Sequence, residues 1–564
     1  MTAGNHAVLN ALLFFALAAG TSCAADGPAQ SDEVMFDHPG GFCQSAFTLT
    51  LTAPAEKTAI YYTTNGDAPQ PASASLYVHP IEIATTTILR AAAFRQGANL
   101  TGATARTFLF VPDILKQAGA AFPKIWGTNV PAHYGMTTAN AENPAAHEPV
   151  AAGFKSISTL SIIANPADLF SPETGIYTHP LERGGAWERA VSLELFDADG
   201  RLAFQCGGGL RIHGSMSRQP AESPKHSFRL AFKKRYGSAR LHFPVFGAGG
   251  AQEFDTLVLR AGNNDSWLAS DGEGRRHADY LRDEWMRRSM ADMGHPSAHG
   301  RFVQLYLNGL YWGVYNLCEQ PGPALLAGDE AGAADFDVRK AGKTEAGDEA
   351  AWNKLMALAN AGVSDDRRYA EISRCLDLTE FADYMILNFY AGNTDWDRSA
   401  NWYAIRPRTA DGRFQFLVWD AEGTFGNVDA DTLDFDDDES PTRLFHKLSE
   451  NTAFRKLFAL RAQKLLFADG ALTPEKSVKR YRALADSVAS ALTAEAARWG
   501  NYRRDVHPYK TGPYDGYTVE RHWQPEVNRI LTGYFPQRRG VLLNQFRARG
   551  LFVTPPQLRD RDAG

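Results

Sequence analysis

The sequence predicts an α+β protein: a small all-β sandwich, then a larger mixed domain whose C-terminal part is helical. Three observations carry this. Residues 33–112 hold short runs alternating at strand period, divided by turn chemistry. Residues 113–153 are rich in Ala, Pro, Asn and His and keep no period, as a connector does. From Thr442 onward apolar residues recur at helical spacing. A chain of 564 residues is too long for one hydrophobic core, so the remainder, 154–552, is read as the second folding unit.

Composition bounds the function. A net charge of −6 argues against a nucleic-acid partner, which would call for a strongly basic face. Twenty Tyr, 11 Trp and 33 Phe favour sheet content and carbohydrate contact, although aromatics most often simply fill a core. Residues 1–25 read as a secretory signal peptide, with an apolar stretch over 7–19 too short to span a bilayer. The expected location is therefore periplasmic, cell-surface or secreted. Gly20-Thr21-Ser22-Cys23 resembles a lipoprotein cleavage box, which would anchor the chain through Cys23. No later stretch reaches transmembrane length, so the mature chain should have no membrane-spanning segment. None of the five Cys forms a C-x-x-C pair, which disfavours a thiolate zinc site; four remain to pair in an oxidising compartment, in an order that spacing leaves open.

Taken in order, the sandwich strands are AFTLTLT (46–52), AIYYTT (59–64), PIEI (80–83), TILRAAAF (87–94) and TFLFV (107–111), with NGDAP (65–69) as a turn. After the connector, strand signals return at 157–163 and 190–196. DADG (197–200) then turns the chain into a paired strand, 201–205. The run CGGGLRIHGSMSR (206–218) has glycines and hydroxyls suited to present backbone N–H groups to phosphate, or to make tight turns. PKHSFRLAF (224–232) is a strand with Lys225 near its start, and LVLR (257–260) another. DYLRDEWMRRSMADM (279–293) reads as a helix, with Gly294 at the C-cap. FVQLYL (302–307), Asn308-Gly309 and YWGVYNL (311–317) form a strong hairpin signal ending near Glu319.

The stretch from Asn388 to Gly426 holds the densest chemistry. Asn393, Asp395, Asp397 and Asn401 follow an apolar helix (379–390), and Asp420 closes the strand-like run FQFLVW (414–419). Carboxylates at the ends of rigid elements suit oxygen-ligated metals and general bases. An Asp, an Asn shortly after it and an Asp just beyond a strand is also the order in protein kinases. Asp and Asn are equally ordinary turn residues. Gly342-Lys343-Thr344 lacks the first glycine of a P-loop. The acidic run 429–439 lacks the EF-hand glycine and is read as a solvated loop.

Two resemblances add to this reading. IYYTTNGDAPQPASASLYVHPIEIATTTILRAAAF resembles the β-sandwich at the C-terminal end of chitobiases, which implies an accessory role near wall or glycan. From about Ile157 to Leu551 the chain resembles the CotH family, named for a spore-coat protein and regarded as atypical protein kinases. Four blocks carry the match in order: GGGLRIHGSMSRQPAESPKHSFRLAFKKRYG; LVLRAGNNDSW with YLRDEWMRRSM; VQLYLNGLYWGVYNLCEQP; and NTDWDRSANWY with FLVWDAEGTFG.

This resemblance implies a two-lobed atypical protein-kinase-like domain and transfer of the ATP γ-phosphoryl group, with Mg²⁺, to Ser or Thr of a protein acceptor. By the same resemblance Lys225 would hold the α/β-phosphates, with Glu284 or Asp283 as ion-pair partner. Arg218 and the loop from Gly207 to Gly214 would cover the phosphates, and Glu319 would stand where the lobes join. Asp395 would position the acceptor hydroxyl, while Asn401 and Asp420 would ligate metal. Asp395 lies six residues before Asn401, where the ordinary kinase loop has five, so Asp397 is its rival for the catalytic role. Two other readings stand beside the kinase. One is a non-catalytic surface or glycan-binding protein with a degenerate kinase-like domain; the other is a hydrolase pairing Asp395 with Asp420.

Overall fold

The computed structural model describes residues 33–119, 122–136, 144–247, 249–327, 335–397 and 401–553. The expected export signal and Cys23 lie outside the described residues. No helix among the described residues is long and apolar enough to cross a membrane.

The N-terminal unit is a β-sandwich. One sheet is built on strands Ala59–Thr63, Thr87–Arg95 and Thr104–Leu109. It faces the pairs Phe47–Leu49 with Ile81–Ile83 and Met35–Phe36 with Leu51–Thr52. Leu49, Leu51, Ile60, Ile83, Leu89 and Phe108 close the core between them, the buried halves of the alternating strands. None of these strands joins the sheet next to Lys225. The unit is nevertheless docked rather than merely tethered. The Thr107 and Ser161 hydroxyls lie 2.6 Å apart, and the Thr107 backbone N–H donates to Glu194 Oε2 at 2.9 Å. Ile88, Ala105 and Ile163 form an apolar cluster beside them.

The expected irregular connector contains a helix, Pro144–Lys155. Val150 and Phe154, four apart and so on one face, are buried against Tyr306, Tyr311 and Ala494.

The first lobe of the large domain is a closed barrel. Its strands are β1 (Thr159–Ala164), β2 (Arg189–Phe196), β3 (Leu202–His213), β4 (Ser227–Ala231), β5 (Thr256–Arg260), β6 (Gly300–Leu307) and β7 (Leu310–Glu319). They run in the order β1-β2-β3-β4-β5-β7-β6, and β6 closes the barrel parallel to β1. Inward residues such as Ile162, Leu193, Leu210, Phe228, Leu257 and Leu259 fill it. Helix α1 (Arg282–Asp292) connects β5 to β6 across the outside. Asn308 (φ 46°) and Gly309 (φ 77°) make the expected left-handed two-residue turn between β6 and β7.

One expectation about this lobe is overturned. Gly207 to Gly209 form no loop: they lie inside β3, paired with β2 from Leu202 to Leu210. A Cβ on Gly207 would meet the Tyr236 carbonyl oxygen at 1.8 Å, and one on Gly209 the Glu188 side chain at 2.9 Å. These glycines admit the 234–236 turn and the Glu188 carboxylate, which Lys233 and Tyr236 hydrogen-bond at 2.7 and 3.0 Å. Close approach of other chain segments explains them, and phosphate cover does not.

The second lobe has a small sheet of β8 (Phe336–Lys340), β9 (Lys343–Ala346), β10 (Trp402–Pro407) and β11 (Gln415–Val418), in the order β9-β8-β10-β11. The rejected P-loop sequence runs from the turn between β8 and β9 into β9: Gly342 follows Ala341 (φ 49°) in the turn, and Lys343 and Thr344 begin the strand. Its longest helices are α2 (Leu378–Ala391), α3 (Thr452–Leu466), α4 (Pro474–Trp499) and α5 (Phe535–Ala548). Asp377 caps α2 by accepting from the Thr379 and Glu380 backbone N–H groups, and Gly392 ends it in the left-handed conformation. Between the lobes, Val258 and Cys318 of the barrel pack on Tyr403, Leu417 and Trp419. No disulfide links Cys43, Cys206, Cys318 and Cys375.

Candidate active site

The site grows from the alternation of β5. Leu257 and Leu259 enter the barrel core, so Val258 and Arg260 face the second lobe. Arg260 Nη1 donates to Asp420 Oδ1 at 2.7 Å, Nη2 to Glu422, and Nε lies 3.4 Å from Asp283 Oδ2 on α1. Its guanidinium also lies over the Trp419 ring at 4.5 Å. Asp283 Oδ1 in turn accepts from the Ala421 backbone N–H at 3.2 Å. Three elements thus meet on one buried cation: the end of β5, the first turn of α1 and the turn after β11.

Charge follows geometry. Burial disfavours the Arg260 cation, but Asp283, Glu422 and Asp420 outweigh it and hold its pKa well above the ordinary value. Burial pushes the Asp283 carboxyl up, and Arg260 and Arg287 more than reverse this, leaving it below the usual range. Glu422 goes the other way. Burial raises it, Arg260 lowers it only in part, and Asp420 and Asp283 add repulsion, so it sits at about 7.

Asn401 (φ 66°) and Asp420 (φ 57°) both hold left-handed backbone, which Asn and Asp tolerate better than other side chains. The β10–β11 register pairs Trp402 with Val418, which puts Asn401 and Asp420 at the same end of the sheet. Asn401 Nδ2 donates to the Asp395 carbonyl, and a Cβ on Gly423 would lie 2.9 Å from Asp395 Cβ. Asp395, Asn401 and the Asp420–Gly423 turn are therefore neighbours. Asp395 is exposed, whereas Asp397 is buried and accepts from Thr442 Oγ1 at 2.6 Å. Asp420 Oδ2 and Asn401 Oδ1 carry no protein hydrogen bond among the described residues, and the Asp420 side chain is 36% exposed. Two hard oxygens at a solvent-facing edge fit Mg²⁺, which takes one or two protein ligands and fills its octahedron with water and phosphate.

The structure separates Lys225 from this cluster. Its Nζ is buried and donates to Glu495 Oε1 of α4 at 2.7 Å and to the Val314 carbonyl at 2.6 Å. The expected pairing with Glu284 or Asp283 is absent. Glu284 is held instead by Arg287 and Arg288, each at 2.7 Å, and by Asn316 at 3.2 Å. Arg218 is buried too, and donates to the Ile212 and Glu182 carbonyls rather than facing a cleft. Its part is to brace the 214–226 loop that starts at Gly214 (φ 109°) and joins β3 to β4. Glu319 ends β7, where the chain leaves the barrel, and accepts from the His299 backbone N–H at 2.8 Å and Nδ1 at 2.9 Å. Beside it opens a cavity of about 600 Å³ between the lobes, lined by Arg229, Thr256, Glu319, Pro321, Val338 and Glu345 among others.

Arg260 and Glu422 are the residues that reading the sequence missed. The available signal was an arginine closing the apolar strand LVLR, on the face opposite its buried leucines.

Comparison with known families agrees with the architecture. The family described as chitobiase/beta-hexosaminidase C-terminal domain matches residues 38–105. The family described as CotH kinase protein matches residues 210–542, more than half of the chain, and begins inside β3. No curated protein matches the chain. With barrel strands β4 to β7, α1 and the Asp420 turn inside the matched region, the chain belongs to the CotH kinase protein family.

Proposed function

We propose that this protein is an exported kinase that transfers the γ-phosphoryl group of ATP to a Ser or Thr hydroxyl of a protein acceptor. The observation that supports it most is Arg260 joining Asp283 of α1 to Asp420 after β11. Protein kinases use a strand cation, a helix carboxylate and a metal Asp in that relation, with Lys as the cation. On this reading Arg260 takes the ion-pair position first given to Lys225. Phosphoryl transfer needs little beyond positioning and charge stabilisation, so this set suffices.

The cavity beside Glu319 takes the base, with the triphosphate directed toward Asp420. Asp420 and Asn401 would hold Mg²⁺, which when bound neutralises charge on the β- and γ-phosphate oxygens. Asp395, exposed beside Gly423, accepts the proton of the acceptor hydroxyl as its oxygen bonds to the γ-phosphorus. The bond to the β,γ-bridging oxygen breaks and ADP leaves. Arg260, fixed by three carboxylates, keeps Asp420 in place and stays charged throughout. The signal-like residues 1–25 and the chitobiase-type sandwich favour a site of action outside the cytoplasm.

The test uses the mature chain with labelled ATP, Mg²⁺ and a Ser/Thr-containing acceptor, with autophosphorylation as the internal readout. Transfer by the wild type and its loss in Asp420→Asn are expected. A wild type that neither labels an acceptor nor is stabilised by Mg²⁺-ATP would leave the surface-binding reading as the better one.

A further inference from the structure

Protein kinases must place their regulatory helix before the strand cation can meet it, and modification of a loop or a partner protein commonly does this. Here α1 is gripped from the C-terminal part of the chain. Glu526, on the helix Gln524–Arg529, is the centre of that grip. Its Oε1 accepts from Arg282 Nη2 on α1 at 2.9 Å and from Arg529 Nη2 at 2.7 Å. Its Oε2 accepts from Arg529 Nε at 2.8 Å and lies 3.0 Å from His277 Nδ1. Only 4% of Glu526 is exposed.

The two arginines carry the grip to the turn beyond Asp420. Arg282 Nη1 donates to the Thr424 carbonyl, and Arg529 donates to the Phe425 carbonyl and, at 3.0 Å, to that of Gly426. Arg282 also approaches Asp279 at 3.2 Å and Asp265 at 3.5 Å. Neighbouring contacts share the direction of pull. Trp523 Nε1 donates to the Asp279 carbonyl at 2.8 Å, Tyr481 OH to Asp279 Oδ2 at 2.8 Å, and Trp285 Nε1 to the Ser477 carbonyl at 3.2 Å.

We infer that Glu526 is a positioning residue, holding α1 and the 420–426 turn together through Arg282 and Arg529, so that Asp283, Arg260 and Asp420 meet without phosphorylation or a partner. Three features favour this over simple packing. The carboxylate is buried, it is shared by charged donors from two separate segments, and those donors end on backbone carbonyls of the turn that carries Asp420. A buried carboxylate with bidentate arginine partners fixes direction as well as distance.

The inference gains its catalytic meaning from the proposed kinase function, but its first test does not need activity. Hydrogen exchange is followed in the full chain for the wild type, Glu526→Gln and the milder Glu526→Asp. Exchange should rise together, roughly tenfold, in 282–292 and 420–426 of Glu526→Gln. It should stay unchanged in β6 and β7, and Glu526→Asp should lie between. If only 519–534 loosens, or the whole chain loosens uniformly, Glu526 is a packing residue and the inference falls. If Glu526→Gln does not fold, Glu526→Asp carries the same readout. Activity then adds a second test: kcat per folded molecule should fall about tenfold in Glu526→Gln and partly recover in Glu526→Asp. An inert wild type overturns the kinase reading, while the exchange data still decide the role of Glu526.

Discussion

Replacing Arg260 by Met, and Lys225 by Met in a parallel variant, separates the two cations that compete for the phosphate-binding role. Both side chains are buried, 10% exposed for Arg260 and 1% for Lys225. Each substitution removes a cation from at least one buried carboxylate: Asp283, beside the more exposed Glu422 and Asp420, for Arg260, and Glu495 for Lys225. Breaking such a pair from one side costs about 3–5 kcal/mol. Both variants should therefore melt roughly 5–15 °C below the wild type. Stability alone will not tell them apart.

Ligand linkage will. A ligand at 100 times its Kd stabilises the folded state by about 2.7 kcal/mol, several degrees on the same melting curve. Lys225→Met should keep that Mg²⁺-ATP shift, because Lys225 is tied to α4 and the Val314 carbonyl. Arg260→Met should lose it, because Asp420 then faces Asp283 and Glu422 with no cation between them. Phosphoryl transfer per folded molecule should drop about 10²–10³-fold, the usual loss for one preorganised charge partner. Arg260→Lys should recover stability in part but not the fork that reaches three carboxylates. A full Mg²⁺-ATP shift in Arg260→Met together with its loss in Lys225→Met would refute the assignment and return the role to the lysine.

Two further outcomes are expected. Asp395→Asn should leave nucleotide stabilisation intact and lower transfer about 10²–10⁴-fold, the range for a general base; Asp397→Asn, whose carboxylate is buried against Thr442, should act mainly on stability, and a larger kinetic loss there would exchange the two roles. Glu194 gives a pH test of sandwich docking: burial raises its pKa from 4.5 to about 7, only partly offset by Arg106 and Thr107. Its contribution is thus full below about 4.5 and lost as pH rises through 7, by about 3 kcal/mol. Glu194→Gln should flatten the melting temperature over that window and raise it at pH 8, and an unchanged pH profile would count against a buried carboxyl at this interface.

The contrast between Asp420 and Lys225 shows what the sequence could carry. Asp420 was legible because its signal is local: an apolar strand ends, and an acid stands just beyond it. The hairpin from β6 to β7 was legible for the same reason, with Asn308-Gly309 between two apolar runs. The Gly207–Gly209 run misled because glycine is ambiguous: it marks a turn, or it marks a strand that something crosses closely. The crossing groups, Glu188 and Tyr236, lie nineteen and twenty-nine residues from Gly207 in the numbering and reveal nothing by spacing. The partner of a buried cation is harder still. Lys225 meets Glu495 across 270 residues and Arg260 meets Asp420 across 160. Both cations stand at or just outside a strand end, and both precede the helix with its acidic first turn. What distinguishes them is the direction each faces. Arg260 lies opposite the buried leucines of β5 and meets the second lobe, while Lys225 precedes β4 and turns toward α4. Strand alternation gives that direction for Arg260 once Leu257 and Leu259 are recognised as core. Applied to every cation near a strand end, the same parity argument would have favoured Arg260 before any partner was known.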